Sequence, residues 1–355
     1  MSKVAQAFRP AGSPFVQLTL VKLREYTREP EALFWVFLFP VLMTLAMGIA
    51  FRDGSAAPIR VGLLSEQGSA SIRETLAADP RLAVVDVETS RAQAVLRDGD
   101  VALIVVPPAP GGAVSYRFDR TRPESSVARF TVDEVLQRAA GRQDPVQAAD
   151  ELVALPGSRY IDWLVPGLLG MNAMMTGLWG ISFSIGMARA KKLIKRLSAT
   201  PMKRSHFLGA QIAGRLLFLP FEAAILIVFA HYAFDVPVRG SIALLSFVIL
   251  LGSITAAAMS LLIASRARSF ETISGLINVA TIPMWILSGV FFSSANFPAA
   301  IQPLVQALPL TALNDALRGV MLAGDGFAAV AHEIAILSAW AAVCFGLALK
   351  IFRWQ

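Results

Sequence analysis

The chain has 355 residues, 55% hydrophobic and only 16% charged. Soluble domains average about 25% charged residues, so most of this chain belongs in lipid. A net charge of +7 would suggest a nucleic-acid partner for a soluble protein. Here the bases cluster beside apolar runs, where the positive-inside bias accounts for them, and no nucleic acid is expected. The one cysteine, Cys344, lies in the last apolar run. It excludes an intramolecular disulfide and reads as a small packing residue. His206, His231 and His332 make no metal-ligand spacing, so no metal site is expected.

Residues 1–32 are polar with an amphipathic middle. Phe15, Leu18, Val21 and Leu23 alternate with Lys22, Arg24, Glu25 and Arg28. That pattern suits a helix lying on the cytoplasmic leaflet or, more simply, a solvated N-terminal helix. The first apolar run, 33–51, is just long enough to cross a hydrocarbon core of roughly 30 Å. About 30 residues precede it, whereas a signal peptide has a short basic start and about 7–15 apolar residues. A retained anchor is therefore expected, kinked at Pro40.

Residues 52–158 form the one soluble-looking domain. Ile59–Leu64, Leu82–Val87 and 100–106 read as strands, with helices over 71–77 and 90–96 between them. This βαβαβ order predicts a small α/β sheet. Residues 113–118 add a candidate strand, and a helix is expected from Glu124 to about 152. The Ser-Glu-Gln-Gly at 65–68 lacks the GxGxxG spacing, so it receives no phosphate-binding role.

Five more apolar runs follow, near 162–187, 207–233, 242–264, 273–292 and 330–351. The fold class is thus a polytopic α-helical membrane protein. It has six transmembrane helices and an extracytoplasmic α/β domain between the first and second, the helical bundle resuming over 159–355. The loop 188–206 falls almost wholly within the stretch 189–207, RAKKLIKRLSATPMKRSHF, which is rich in bases and free of acids. Leu193 and Leu197 lie one helical turn apart, joined by Ile194, and Thr200-Pro201 ends the stripe. With both termini in the cytoplasm, this loop, the one near Arg266 and Arg268, and the C-terminal Lys350 and Arg353 all fall inside, while 52–158 falls outside.

The segment 293–329 reads as two short helical pieces separated by Leu308-Pro309-Leu310-Thr311. Neither spans a bilayer, so an outer re-entrant hairpin is expected. Thr311 is a candidate cap of the second piece, with Asn314 and Asp315 in its first turn. Asp315 and Arg318 have the i,i+3 spacing of an ion pair.

Glu222 lies well inside the third run, after Pro220. An ionisable group in lipid faces the bundle interior with a partner. It either lines a substrate path or ties helices, or it serves packing alone, protonated or paired. Arg215, one helix face away and nearer the cytoplasm, is expected to snorkel to the headgroups. Asn172 and Asn278 read as buried amides, for interhelical hydrogen bonds more than substrate contact. Asp162 suits the outer N-terminus of the second span. Glycines at 167, 170, 177 and 186 suggest close helix approach.

No GxxxxGK[ST] phosphate loop is present, so this chain is not expected to hydrolyse ATP. There is no GxSxG or HExxH, and no catalytic, cofactor-binding or metal residue is assigned.

Three stretches carry a family resemblance. RPAGSPFVQLTLVKLREYTREPEALFWVFLFPVLMTLAMGIAF resembles the elbow helix and first span of ABC-2 type transporter permeases. LIKRLSATPMKRSHFLGAQ resembles their cytoplasmic segment between the second and third spans, and NFPAAIQPLVQALPLTALNDALRG the stretch after their fifth. The order of features, one span, a large outer domain and five spans, is that of one branch of the family.

The resemblance implies a transport subunit, not an enzyme. By that resemblance it would be the export permease of a bacterial cytoplasmic (inner) membrane transporter, paired with a second permease copy as a homodimer or with a related permease. ATP and Mg would sit on a partner ABC ATPase. The elbow and the loop residues Leu193, Ile194, Lys195, Arg196, Leu197, Thr200 and Pro201 would dock on that ATPase. The outer pieces, with Pro309, Thr311, Asn314 and Arg318, would lie near the extracellular gate. Many relatives carry acidic residues and Gly-Thr in the docking loop; Lys192, Leu193 and Lys195 here point to acidic groups on the ATPase. A periplasmic adaptor is a further candidate partner. The alternatives are an ion-coupled transporter using Glu222, and a receptor or scaffold with a ligand- or partner-binding outer domain. No pocket chemistry in the sequence selects a cargo.

Overall fold

The computed structural model describes residues 14–28, 30–51, 58–65, 69–108, 112–143, 157, 159–193, 204–266 and 269–351. The chain divides into two units, Asp53–Val153 and the pair of segments Met1–Arg52 and Ala154–Gln355.

In the smaller unit, short runs rich in Val, Ile and Leu make the three parallel strands, and short helical segments cross between them. The order is β1 (Ile59–Leu64), α4 (Ser69–Ala77), β2 (Leu82–Val87), α5 (Ala92–Asp98), β3 (Leu103–Val106), β4 (Ser115–Arg117) and α6 (Pro123–Ala139). Helices α1 (Pro14–Arg28), α2 (Pro30–Leu33) and α3 (Phe39–Ala50) precede it in the larger unit. The sheet order is β2-β1-β3-β4, with β1 parallel to β2 and β3, and β4 antiparallel to β3.

The period of two gives the sheet two cores. Val61, Leu63, Leu103 and Val105 pack with Ile72, Leu76, Ala128 and Val132 on one face. Leu64 and Ile104 pack with Val87, Ala92 and Val101 on the other. The third strand starts later than 100 because Asp100 N–H returns to Val95 O, in the turn set by Gly99 at φ 81°. Helix α6 stops well before 152. Gly141, at φ 92°, turns the chain out of the helix, and 144–156 lie outside the described residues. Tyr116 O–H donates to Asp133 Oδ1 at 3.1 Å. Burial first, and this bond second, push the Tyr116 hydroxyl up to about 12.

The larger unit opens with α1 (Pro14–Arg28), α2 (Pro30–Leu33), a π-helical turn over Phe34–Leu38, and α3 (Phe39–Ala50). After the smaller unit come α7 (Tyr160–Ala190), α8 (Arg204–Phe234), α9 (Ile242–Arg266) and α10 (Phe270–Leu287). Then follow α11 (Gln302–Ala307), α12 (Pro309–Arg318), a second π turn over Gly319–Ala323, and α13 (Ala331–Ile351). Among the described residues, five helices are long and apolar enough to cross a membrane: α7, α8 from Gly209, α9, α10 and α13. Phe34–Ala50 is apolar but shorter. Pro40 sits in the first turn of α3, directly after the π turn.

Helix α7 is buried along most of its length, and its glycines admit the neighbours. A Cβ at Gly177 would sit 2.9 Å from Ala256 Cβ of α9, and one at Gly186 would sit 2.6 Å from Ile273 Cδ1 of α10. Short hydroxyls then bridge the backbones. Ser182 Oγ lies 2.7 Å from Ser260 Oγ, Ser260 donates to Leu178 O, and Thr255 donates to Leu337 O. Without a hydrophobic drive between helices in lipid, such close packing and polar bridging set the bundle. Helix α1 meets α8 through Phe15, whose ring lies beside Gly209.

Candidate functional site

Besides the hydroxyl bridges of Ser182, Ser260 and Thr255, three groups of polar side chains lie at different heights along α7. The middle group centres on α8. Seven residues are two helical turns, so Arg215 and Glu222 share one side of the helix. The guanidinium runs along α8 and grips the carboxylate with both forks, at 2.6 Å to Oε1 and 2.8 Å to Oε2. It also donates to Thr176 Oγ1 and, at 3.5 Å, to Ala173 O on α7. Thr176 in turn donates to Asn172 O at 2.7 Å. Arg215 is 2% exposed and Glu222 5%. The expectation that Arg215 snorkels is therefore corrected: the partner within reach on its own helix outcompetes the headgroups. Pro220 lies between the two residues, inside α8.

Asn172 joins this group to the first apolar segment. Pro40 has no N–H for the carbonyl four residues before it, which is Val36 O. Asn172 Nδ2 donates to that oxygen at 3.1 Å. Asn278 differs from expectation. It is exposed, outside the stripe Ile273, Ile277, Thr281 and Met284 that α10 buries.

The second group surrounds α12. Pro309 opens the helix, with Leu308 as N-cap and no side-chain cap bond. Thr311 is buried, and its hydroxyl has no hydrogen-bond partner among the described residues. The expected Thr311 cap is thus corrected. Proline at the first helical position starts the helix earlier, and this carries Asn314 and Asp315 beyond its first turn.

Asn314 Nδ2 donates to Ser288 O at 3.0 Å, and its side chain lies against Gly170 of α7, where a Cβ would collide with it. Arg318 stacks 3.5 Å above the Trp163 ring. It donates to Gly289 O and, at 3.4 Å, to Trp163 O, and pairs with Asp315 at 3.4 Å. Gly167 leaves room for it: a Cβ there would lie 3.0 Å from Arg318 Nη2. At the same end, Asp162 takes the N–H groups of Gly157 and Arg159 in the first turn of α7. The Arg159 guanidinium pairs with Asp162 at 2.9 Å and donates to Phe234 O at 2.8 Å.

The third group lies at the opposite end. Ser184 donates to Gln211 Oε1 at 3.0 Å. Arg189 donates to Ala264 O and Ser265 O, at the C-terminal end of α9. Lys192, at φ 56°, follows the end of α7, and Leu193 is 41% exposed. Ile194, Lys195, Arg196, Leu197, Thr200 and Pro201 lie outside the described residues.

Sequence reasoning missed Thr176, Trp163, Arg189 and the Arg215–Glu222 bond. Only the last had a clear signal, two opposite charges seven residues apart in an apolar run. Among the described residues no cluster of His, Cys, Asp or Glu is arranged to hold a metal ion.

Membrane-length helices bundled through buried polar contacts define a polytopic helical membrane protein. The chain belongs to the ABC-2 family transporter proteins, whose family model matches residues 30–350, and it is an ABC transporter membrane subunit. It is 23% identical to the "Probable multidrug ABC transporter permease YbhS" of Escherichia coli (strain K12), over 93% of this chain and 94% of that one. It is also 27% identical to "ABC transporter G family member 20" of Dictyostelium discoideum, over 54% of this chain and 26% of that one. YbhR of the same Escherichia coli strain matches at 23% over 47% of this chain.

Proposed function

We propose that this chain is the permease subunit of an exporter powered by a separate ABC ATPase on the cytoplasmic side. The observation that carries the proposal is the family match over 30–350, in a chain without a phosphate loop of its own. Energy must then enter from another subunit. In this reading Phe34–Ala50 is the first of six spans, the unit Asp53–Val153 lies outside, and both termini are cytoplasmic in a bacterial inner membrane. The segment from Leu193 to Pro201 receives the ATPase, and ATP and Mg are held on that partner, not on this chain. A second permease copy completes the pathway, and α12 with Arg318 belongs to the outer gate. The outer unit is the surface an adaptor would meet. The name of the Escherichia coli relative, a probable multidrug permease, makes hydrophobic drugs the first cargo to try. An ion-coupled mechanism is less favoured, because both Glu222 oxygens already engage Arg215.

The test is Leu197→Asp. A charge in place of an apolar anchor at a protein contact costs about 2 kcal/mol or more, so ATP-driven transport should fall on the order of tenfold or more. The protein should remain folded in the membrane. If co-purification of the ATPase and stimulated hydrolysis both survive, the docking assignment is wrong.

A further inference from the structure

We propose that the Arg215–Glu222 ion pair is a splint across Pro220, making α8 a straight lever and Arg215 a positioning residue for coupling. The role in coupling rests on the function proposed above; the splint itself does not.

Proline at 220 cannot donate to Leu216 O, four residues earlier, and its ring crowds that carbonyl. Kinks in long helices arise at such sites. Arg215 lies before the break and Glu222 after it, and two parallel bonds join them across it. A bidentate fork fixes distance and direction together, so the two halves of α8 are held at one angle. Helix α7 braces the same place, through Thr176 and Ala173 O on the guanidinium.

Two further ties keep α7 and α8 in register. Ser184 meets Gln211 at the end near the segment 194–203, and Arg159 meets Phe234 O at the other. The three contacts run in opposite chain order along the two helices, from Ser184 through Thr176 to Arg159 on the α7 side and from Gln211 through Arg215 to Phe234 on α8. An apolar pair at 215 and 222 would be at least comparably stable, because burying two charges carries a desolvation cost that their attraction barely offsets. What the charges add is a fixed geometry. A push on the segment between α7 and α8 then moves both helices as one body and is not absorbed by bending at 220.

The experiment uses the full chain with its ATPase in lipid nanodiscs and proteoliposomes. The sole cysteine is replaced in a Cys344→Ala background, and spin labels are placed at Ala213 and Tyr232. These sites flank Pro220 and lie about 28 Å apart along a straight helix. Unlabelled protein is mixed in so that only distances within one chain are read. The test variant is Arg215→Met/Glu222→Leu, which removes both charges together and avoids stranding one.

In the native pair the label distance should be one narrow population, both nucleotide-free and vanadate-trapped. In the double variant it should broaden toward shorter distances. Ethidium exported per ATP hydrolysed should fall at least about fivefold, the lower end of typical site-to-site coupling. Adding Pro220→Ala, which returns the missing N–H, should restore both the narrow distance and the coupling. A narrow distance in the double variant, or unchanged export per ATP, overturns the proposal, as does failure of Pro220→Ala to rescue. If the native protein shows no ATP-driven ethidium export, the function proposed for that cargo fails, and the distances alone decide the splint.

Discussion

Glu222→Leu alone should strip the protein of about 3–5 kcal/mol of stability, the usual cost of breaking one partner out of a buried ion pair. For a chain of this size that is on the order of 10 °C in Tm. Arg215 would keep its charge at 2% exposure, with a hydroxyl and a distant carbonyl as its remaining acceptors. The double variant Arg215→Met/Glu222→Leu should melt within about 1 kcal/mol of the native chain or above it. Fluorescence-detected size exclusion after a heat series would measure both. A single variant as stable as the double would mean that the pair is not the tight unit its distances describe.

Arg318→Ala should be comparably severe. A desolvated stack on tryptophan is worth about 2 kcal/mol, and each hydrogen bond to a charged group about 1.5–3 kcal/mol. The substitution also leaves Gly289 O and Trp163 O without their donor. A loss of about 3–5 kcal/mol is expected. Arg318→Lys should recover little, because an ammonium cannot stack and fork at once. Hydrogen exchange locates the effect: amides of α12 should exchange far sooner in Arg318→Ala, with those of the α/β unit unchanged. An Arg318→Lys chain matching the native one in Tm and exchange would reduce Arg318 to a point charge.

What was legible in the sequence followed from pattern, and what was not depended on direction. Ile59–Leu64 and Leu82–Val87 match the sequence reading to the residue, because each is a short, mostly apolar run that ends in polar or turn residues. The membrane-length helices fall within a few residues of their apolar runs, because the runs end in charge or turn residues. Asn172 and Asn278 are the same residue type in similar runs, yet one bonds Val36 O and the other is exposed. Composition fixes the chemistry of an amide but not which side of the helix its neighbours occupy. Arg215 is the sharper case. Its spacing from Glu222 was visible, but a long stem can run outward or along its own helix, and only the packing of Thr176 against it decides. Around α12 the sequence signal is present in Pro309 and is outweighed by Thr311, a good cap residue three positions beyond the actual N-cap, Leu308.

The bond from Asn172 to Val36 O has a consequence for synthesis. Its partners are 136 residues apart, and a ribosome adds about 5–20 residues per second. On the order of ten seconds therefore separate the emergence of Phe34–Ala50 from that of the side chain that completes its broken ladder. In the interval the segment is short, interrupted at Pro40 and carries a carbonyl without its donor. Its ladder is completed only once α7 has emerged and packed against it.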